Sequence, residues 1–76
     1  MFHEFDDLIA ELKASDRYVQ NLFEKHRMLD RKIGNMELRL EPGTPDEIES
    51  LKKKKLAIKD ELYALLRQIS LSRARP

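Results

Sequence analysis

Four lysines in succession, Lys52-Lys53-Lys54-Lys55, followed by Lys59, are the densest concentration of one chemistry in this 76-residue chain. Ammonium groups gathered in this way can neutralise phosphates, and Arg67, Arg73 and Arg75 extend the positive charge further along. On a helix, however, consecutive residues point in different directions, and the ordinary role of such a run is a solvated face. No aromatic residue interleaves the lysines, so a stacking platform for bases is not supported. A nucleic-acid reading would use Lys52, Lys53, Lys54 and Arg67, and it is the alternative rather than the leading one.

Other reactive groups are sparse. The chain has no cysteine, which removes disulfides and thiolate metal sites. Its two histidines, His3 and His26, are far apart and lack a companion at ligand spacing. No glycine-rich phosphate loop or nucleophile–base pair is present. The carboxylates suit helix caps and ion pairs. The expectation is a non-enzymatic protein without a cofactor or metal.

The elements that position these groups follow from the apolar pattern. Val19, Leu22, His26, Leu29, Ile33, Met36 and Leu40 recur in three-then-four steps, and so do Ile48, Leu51, Lys55, Ile58, Leu62, Leu65 and Ile69. Between the two stripes stands Glu41-Pro42-Gly43-Thr44-Pro45. Two heptad stripes joined by a tight breaker predict an all-α, coiled-coil-like antiparallel helical hairpin. Thr44 can cap the second arm, Pro45 suits its first position and Glu47 can close a capping box.

Ahead of the hairpin, Phe5, Leu8, Ile9 and Leu12 share one side of a short helix with acidic residues at its start. Ser15 or Asp16 can cap the helix that follows, although neither Gly nor Pro forbids a continuous one. The predicted plan is one domain over residues 1–76, with helices over about 3–14, 16–41 and 45–70 and a frayed tail over 71–76.

Placing Leu40 beside Ile48 sets the register. Met36 then meets Leu51, Ile33 meets Lys55, Leu29 meets Ile58, His26 meets Leu62, Leu22 meets Leu65 and Val19 meets Ile69. Flanking positions bring together Arg39 with Glu47, Glu37 with Lys52, Asp30 with Lys59 and Lys25 with Glu61, all of opposite charge. Lys32 with Lys54 has the wrong sign, and Phe23 with Leu66 is apolar. Exposed ion pairs contribute only about 0.2–1 kcal/mol each, so they specify register more than they stabilise. In the seam, His26 is expected to be satisfied by Asp30 one turn on, and Lys55 to lay its stem along Ile33 with its amine in water.

A second apolar strip, Leu56, Tyr63 and Leu66, lies outside the seam of the last helix, with Phe23 beside it and Gly34 leaving a shallow groove near Leu56. Either the first helix folds back over this strip with Phe5, Leu8, Ile9 and Leu12, or the strip is a contact surface for a second copy or another protein. Phe23, Leu56, Tyr63 and Leu66 are therefore the candidate protein-contact residues.

Charged residues are 38% and apolar residues 41% of the chain, a balance suited to a solvated helical protein rather than a disordered one. A chain this small needs regular packing or a partner subunit to be stable. The net charge of +1 creates no global field that demands nucleic acid. No apolar run could span a bilayer, the acidic start has no signal-peptide pattern, and Glu4, Asp6, Asp7 and Glu11 would repel anionic lipid. A cytoplasmic protein without membrane contact is expected.

Met1-Phe2, Leu8-Ile9, Leu12-Lys13 and Asp16, then Leu22-Phe23-Glu24-Lys25-His26, Leu29-Asp30, Ile33 and Glu37 follow one another in an order that resembles the small bacterial YdcH-like proteins. The stretch Leu51-Lys52, Lys54-Lys55-Leu56 and Lys59-Asp60-Glu61-Leu62-Tyr63 carries the resemblance most strongly. Arg27 stands where the family pattern has Asn, and residues 38–47 fall in a region that varies. The resemblance implies an all-helical bacterial domain of unknown function, with Phe23, His26, Asp30, Lys59, Asp60 and Tyr63 in the shared pattern. It carries over no activity.

Overall fold

Asp16 is the single non-helical residue between the first two helices, and the seven residues between Glu37 and Pro45 reverse the chain. The computed structural model describes residues 2–74. A 3-10 turn over His3–Phe5 leads into α1 (Asp6–Ser15), α2 (Arg17–Glu37) and α3 (Pro45–Ala74). The described residues are all-α. Contacts between the long arms run in opposite senses, since Glu37 meets Lys52, Asp30 meets Lys55 and Tyr18 meets Glu61. That order defines an antiparallel hairpin.

Local chemistry explains the boundaries. Asp16 is extended (φ −119°, ψ 110°), and its Oδ1 accepts from the Val19 N–H at 3.2 Å, so it is the cap that starts α2. At the other arm, Thr44 Oγ1 accepts from the Glu47 N–H at 3.1 Å and donates to Glu47 Oε1 at 3.2 Å. This engages Glu47 in the cap of α3.

α2 stops at Glu37, short of the expected 41. Arg39 takes φ 60°, its N–H donates to Met36 O at 3.1 Å, and the Leu40 N–H donates to Asn35 O at 2.8 Å. This pair of bonds is a Schellman ending with an arginine in the left-handed position that glycine normally fills. The early reversal takes Leu40 out of the seam and leaves it 75% exposed, so it does not pair with Ile48. Gly43 has no positive φ. It lies close against Met36: a Cβ there would stand 2.0 Å from Met36 Cε, so the flexible end of that side chain would have to move aside.

At the far end, α3 continues to Ala74 rather than fraying after residue 70. Arg73 Nη1 meets Glu11 Oε2 at 2.6 Å and ties this last turn to α1. Arg75 and Pro76, in the expected frayed tail, and Met1 lie outside the described residues.

The interior is deepest where α1 lies against α2 and α3. Ile9, Leu12, Val19 and Leu66 form the buried cluster, with Phe2, Phe5, Leu8, Phe23, Leu65 and Ile69 packed around it. Leu22, Leu62, Ile33 and Met36 carry the buried seam toward the loop. Of the two fates weighed for the second apolar strip, α1 folding back is the one observed over Leu66.

Candidate functional site

The candidate contact residues divide into two groups. Leu66 is wholly buried under α1 and offers nothing to a partner while α1 is in place. Phe23 is half-buried at the edge of the same cluster, with the Lys13 ammonium 4.5 Å from its ring centre. Leu56 and Tyr63 remain outside, 58% and 41% exposed. They are seven residues apart, nearly two turns, so they stand on the same side of α3. The Phe2 and Phe5 rings meet Tyr63 at centroid separations of 5.7 and 6.0 Å.

The surface is therefore a line from Leu56 through Tyr63 to two N-terminal aromatic rings, with Leu66 corrected to the interior. Phe5 is where the folded-back first helix was expected to put it, over this strip, whereas Phe2 was not expected there. Their three-residue spacing was the available signal, but only the packing of α1 shows which α3 residue they meet. Gly34 has open space where a Cβ would be, in keeping with the predicted shallow groove.

The basic residues are largely occupied. Lys52 Nζ is 3.5 Å from Glu37 Oε1, Lys53 Nζ is 3.9 Å from Glu49 Oε1, and Lys55 Nζ is 2.9 Å from Asp30 Oδ1. Among the described residues, Lys54 and Arg67 make no ion pair. Of the predicted cross-seam pairs, Glu37 with Lys52 forms. Asp30 turns to Lys55 instead of Lys59, because the lysine of the seam reaches sideways to the carboxylate. Glu61 accepts from the Tyr18 hydroxyl rather than meeting Lys25. Glu47 serves its cap rather than Arg39. Lys32 escapes Lys54 by pairing with Glu41 at 3.0 Å, which the early end of α2 brings within reach.

Electrostatics follow these pairings. The hydrogen bond and charge of Lys55 hold the Asp30 carboxyl below its ordinary range. Asp30 is thus engaged by Lys55 rather than hydrogen-bonded to His26. Burial pushes the half-buried His26 imidazole down; Asp30 opposes this, while Lys55 and Lys59 add to it. Arg73 lowers the Glu11 carboxyl chiefly through its hydrogen bond, and the Glu61 carboxylate raises the Tyr18 phenol in the same way.

Beside His26, a hollow of about 390 Å³ is lined by Lys13, Gln20, Phe23, Glu24, Arg27 and Asp30. It is open to solvent and mixes both charge signs. Among the described residues no three His, Asp or Glu side chains gather as a metal-binding group. No described helix is long and apolar enough to cross a membrane.

These features define a class: small all-α proteins in which a long antiparallel hairpin is covered at one end by a short N-terminal helix. The chain belongs to the family described as "Protein of unknown function (DUF465)", whose model matches residues 20–66. It is 39% identical over 71 residues to "Uncharacterized protein YdcH" of Escherichia coli (strain K12), an alignment covering 93% of this chain and 96% of the relative. The same identity and coverage hold for the protein of that name from Shigella flexneri. The expected membership of the YdcH-like bacterial family is borne out. No solved structure matches the chain.

Proposed function

We propose that the chain is a non-enzymatic bacterial protein-interaction module of the cytoplasm that self-associates in coiled-coil fashion through the outer face of α3. The observation that carries this reading is the exposure of Leu56 and Tyr63 at heptad spacing on the outer face of α3, beside the Phe2 and Phe5 rings. The test is light scattering over a concentration series, with Leu56→Glu beside the natural chain. Mass rising with concentration in the natural chain only, at equal helicity, supports the reading. A mass fixed at one chain across the series overturns it.

The nucleic-acid alternative has weaker support, because the carboxylates of Glu37, Glu49 and Asp30 already hold Lys52, Lys53 and Lys55. It requires a mobility shift that fades steeply with salt. Loss of that shift in a Lys54, Arg67 double alanine variant would argue for it.

A further inference from the structure

We infer that α1 is an exchangeable arm that opens at Asp16 and packs on the α2–α3 end of a second copy of this chain, making a reciprocal swapped dimer. This deepens the self-association proposed above but uses a different contact.

The junction supports the exchange. α1 and α2 are separated by one residue, Asp16, which alone is extended, at φ −119° and ψ 110°. The helical ladder is interrupted at residues 17–19 and resumes on either side: the Asp16 N–H donates to Leu12 O at 2.7 Å and the Gln20 N–H donates to Asp16 O at 3.0 Å. Turning Asp16 to helical dihedrals would let the N–H groups of Arg17, Tyr18 and Val19 reach the carbonyls of Lys13, Ala14 and Ser15, the normal i to i−4 partners. At present the Val19 N–H depends on the Asp16 side chain. Neither glycine nor proline stands in α1, at the junction or in α2 before Gly34, which is already helical, so nothing obstructs one helix from Asp6 to Glu37.

Opening leaves Val19 and Leu66 bare on one side and Ile9 and Leu12 bare on the other, so an open single chain is strongly disfavoured. What covers both is on the page. The arm is an acidic amphipathic segment carrying Phe5, Leu8, Ile9 and Leu12. The surface it leaves is apolar, with Arg73 at its edge to receive Glu11. A second copy supplies the same arm and the same seat, so the contacts of α1 with α2 and α3 are remade between chains, apart from the junction bonds of Asp16 Oδ1 with the Val19 N–H and of Gln20 Nε2 with Lys13 O. The ladder bonds at residues 17–19 take the place of those two, three bonds for two, and the chief cost is that of bringing two chains together.

The exchange is tested with two single-cysteine chains, Glu11→Cys and Arg73→Cys, unfolded, mixed, refolded and treated with a short bismaleimide. The natural chain has no cysteine to interfere, and both positions are exposed. Two companion backgrounds set the junction. Arg17→Pro keeps the bent form, because proline suits the first helical position and the extended residue before it, but a continuous helix would lose a bond there. Asp16→Ala removes the cap and favours continuity.

The expected result is a mixed adduct between positions 11 and 73. It should increase with Asp16→Ala and fall to the level of random collision with Arg17→Pro, at equal helicity by circular dichroism. A mixed adduct no more abundant than in the Arg17→Pro background overturns the exchange. If light scattering then still shows dimers that Leu56→Glu removes, the α3 face stands as the contact and only the exchange is lost. If the adduct forms while Leu56→Glu leaves the mass unchanged, the exchange stands and the outer face falls.

Discussion

The two ends of the hairpin share one seam but differ in depth. At the end covered by α1, Val19 and Leu66 are wholly buried. At the loop end, Ile33 and Met36 are buried without a third helix, Met36 lying against Gly43 of the loop, and Leu38 and Leu40 stand in solvent. Both ends carry leucines, so composition does not set the difference. A third helix does: two helices enclose only the line where they touch, and a third closes the outer flank as well. The covered end is where this small chain concentrates its apolar interior.

The largest effect that could break this comparison is at the covered end. Leu66→Ala is expected to cost about 2–5 kcal/mol in urea unfolding, the range for truncating a closed core. Leu40→Ala at the loop end should stay within about 0.5 kcal/mol, the usual effect of a surface change. Similar costs for the two would show that α1 does not seal its end.

Next is Gly43→Ala, expected to destabilise by about 1 kcal/mol, the low end of the overpacking range, because its Cβ would displace the flexible end of Met36. In a Met36→Ala background that cost should largely vanish, and a double-mutant cycle reads the difference. The Arg39→Gly change should act in the opposite direction, stabilising by roughly 1 kcal/mol by relieving a side chain at φ 60°. A loss on thermal melting would mean that the ending of α2 differs from the one described.

The smallest expected effect is pH dependence at the middle of the seam. Burial holds His26 below its ordinary 6.5, so the unfolded chain takes up a proton more readily. Its share of stability is complete above that value and declines as the pH falls from there through the lowered folded pKa. A His26→Gln variant should flatten the melting profile across that window. Asp30 and Glu11 have depressed pKa values, so their stabilisation is present above the ordinary carboxylate range and disappears as the pH falls through their folded pKa values. That later decline should survive in His26→Gln.

How much of this was legible follows from which signals were local. The helices, the turn, the cap at Thr44 and the Glu37–Lys52 pairing rest on spacings a few residues long, and those are visible in the chain. The end of α2 was not, because arginine rather than glycine occupies the left-handed position and Pro42 drew attention downstream. The partner of Asp30 was hidden because a flexible lysine can reach from the seam to its flank. For the candidate surface, the strip on α3 was visible as a pattern. Its division into a covered Leu66 and an exposed Leu56 depended on where α1 came to rest, a long-range outcome that no spacing encodes. Phe2 was lost for the same reason.

The hairpin's proportions also affect how its subunits should be counted. It measures 51 × 20 × 19 Å, and its radius of gyration of 14.9 Å exceeds the roughly 11 Å of a compact chain of this length. A slender particle tumbles slowly and drags more solvent than a sphere of equal mass, so on a sizing column it emerges early. One copy can then imitate two, and only methods that weigh the particle directly will separate stoichiometry from shape.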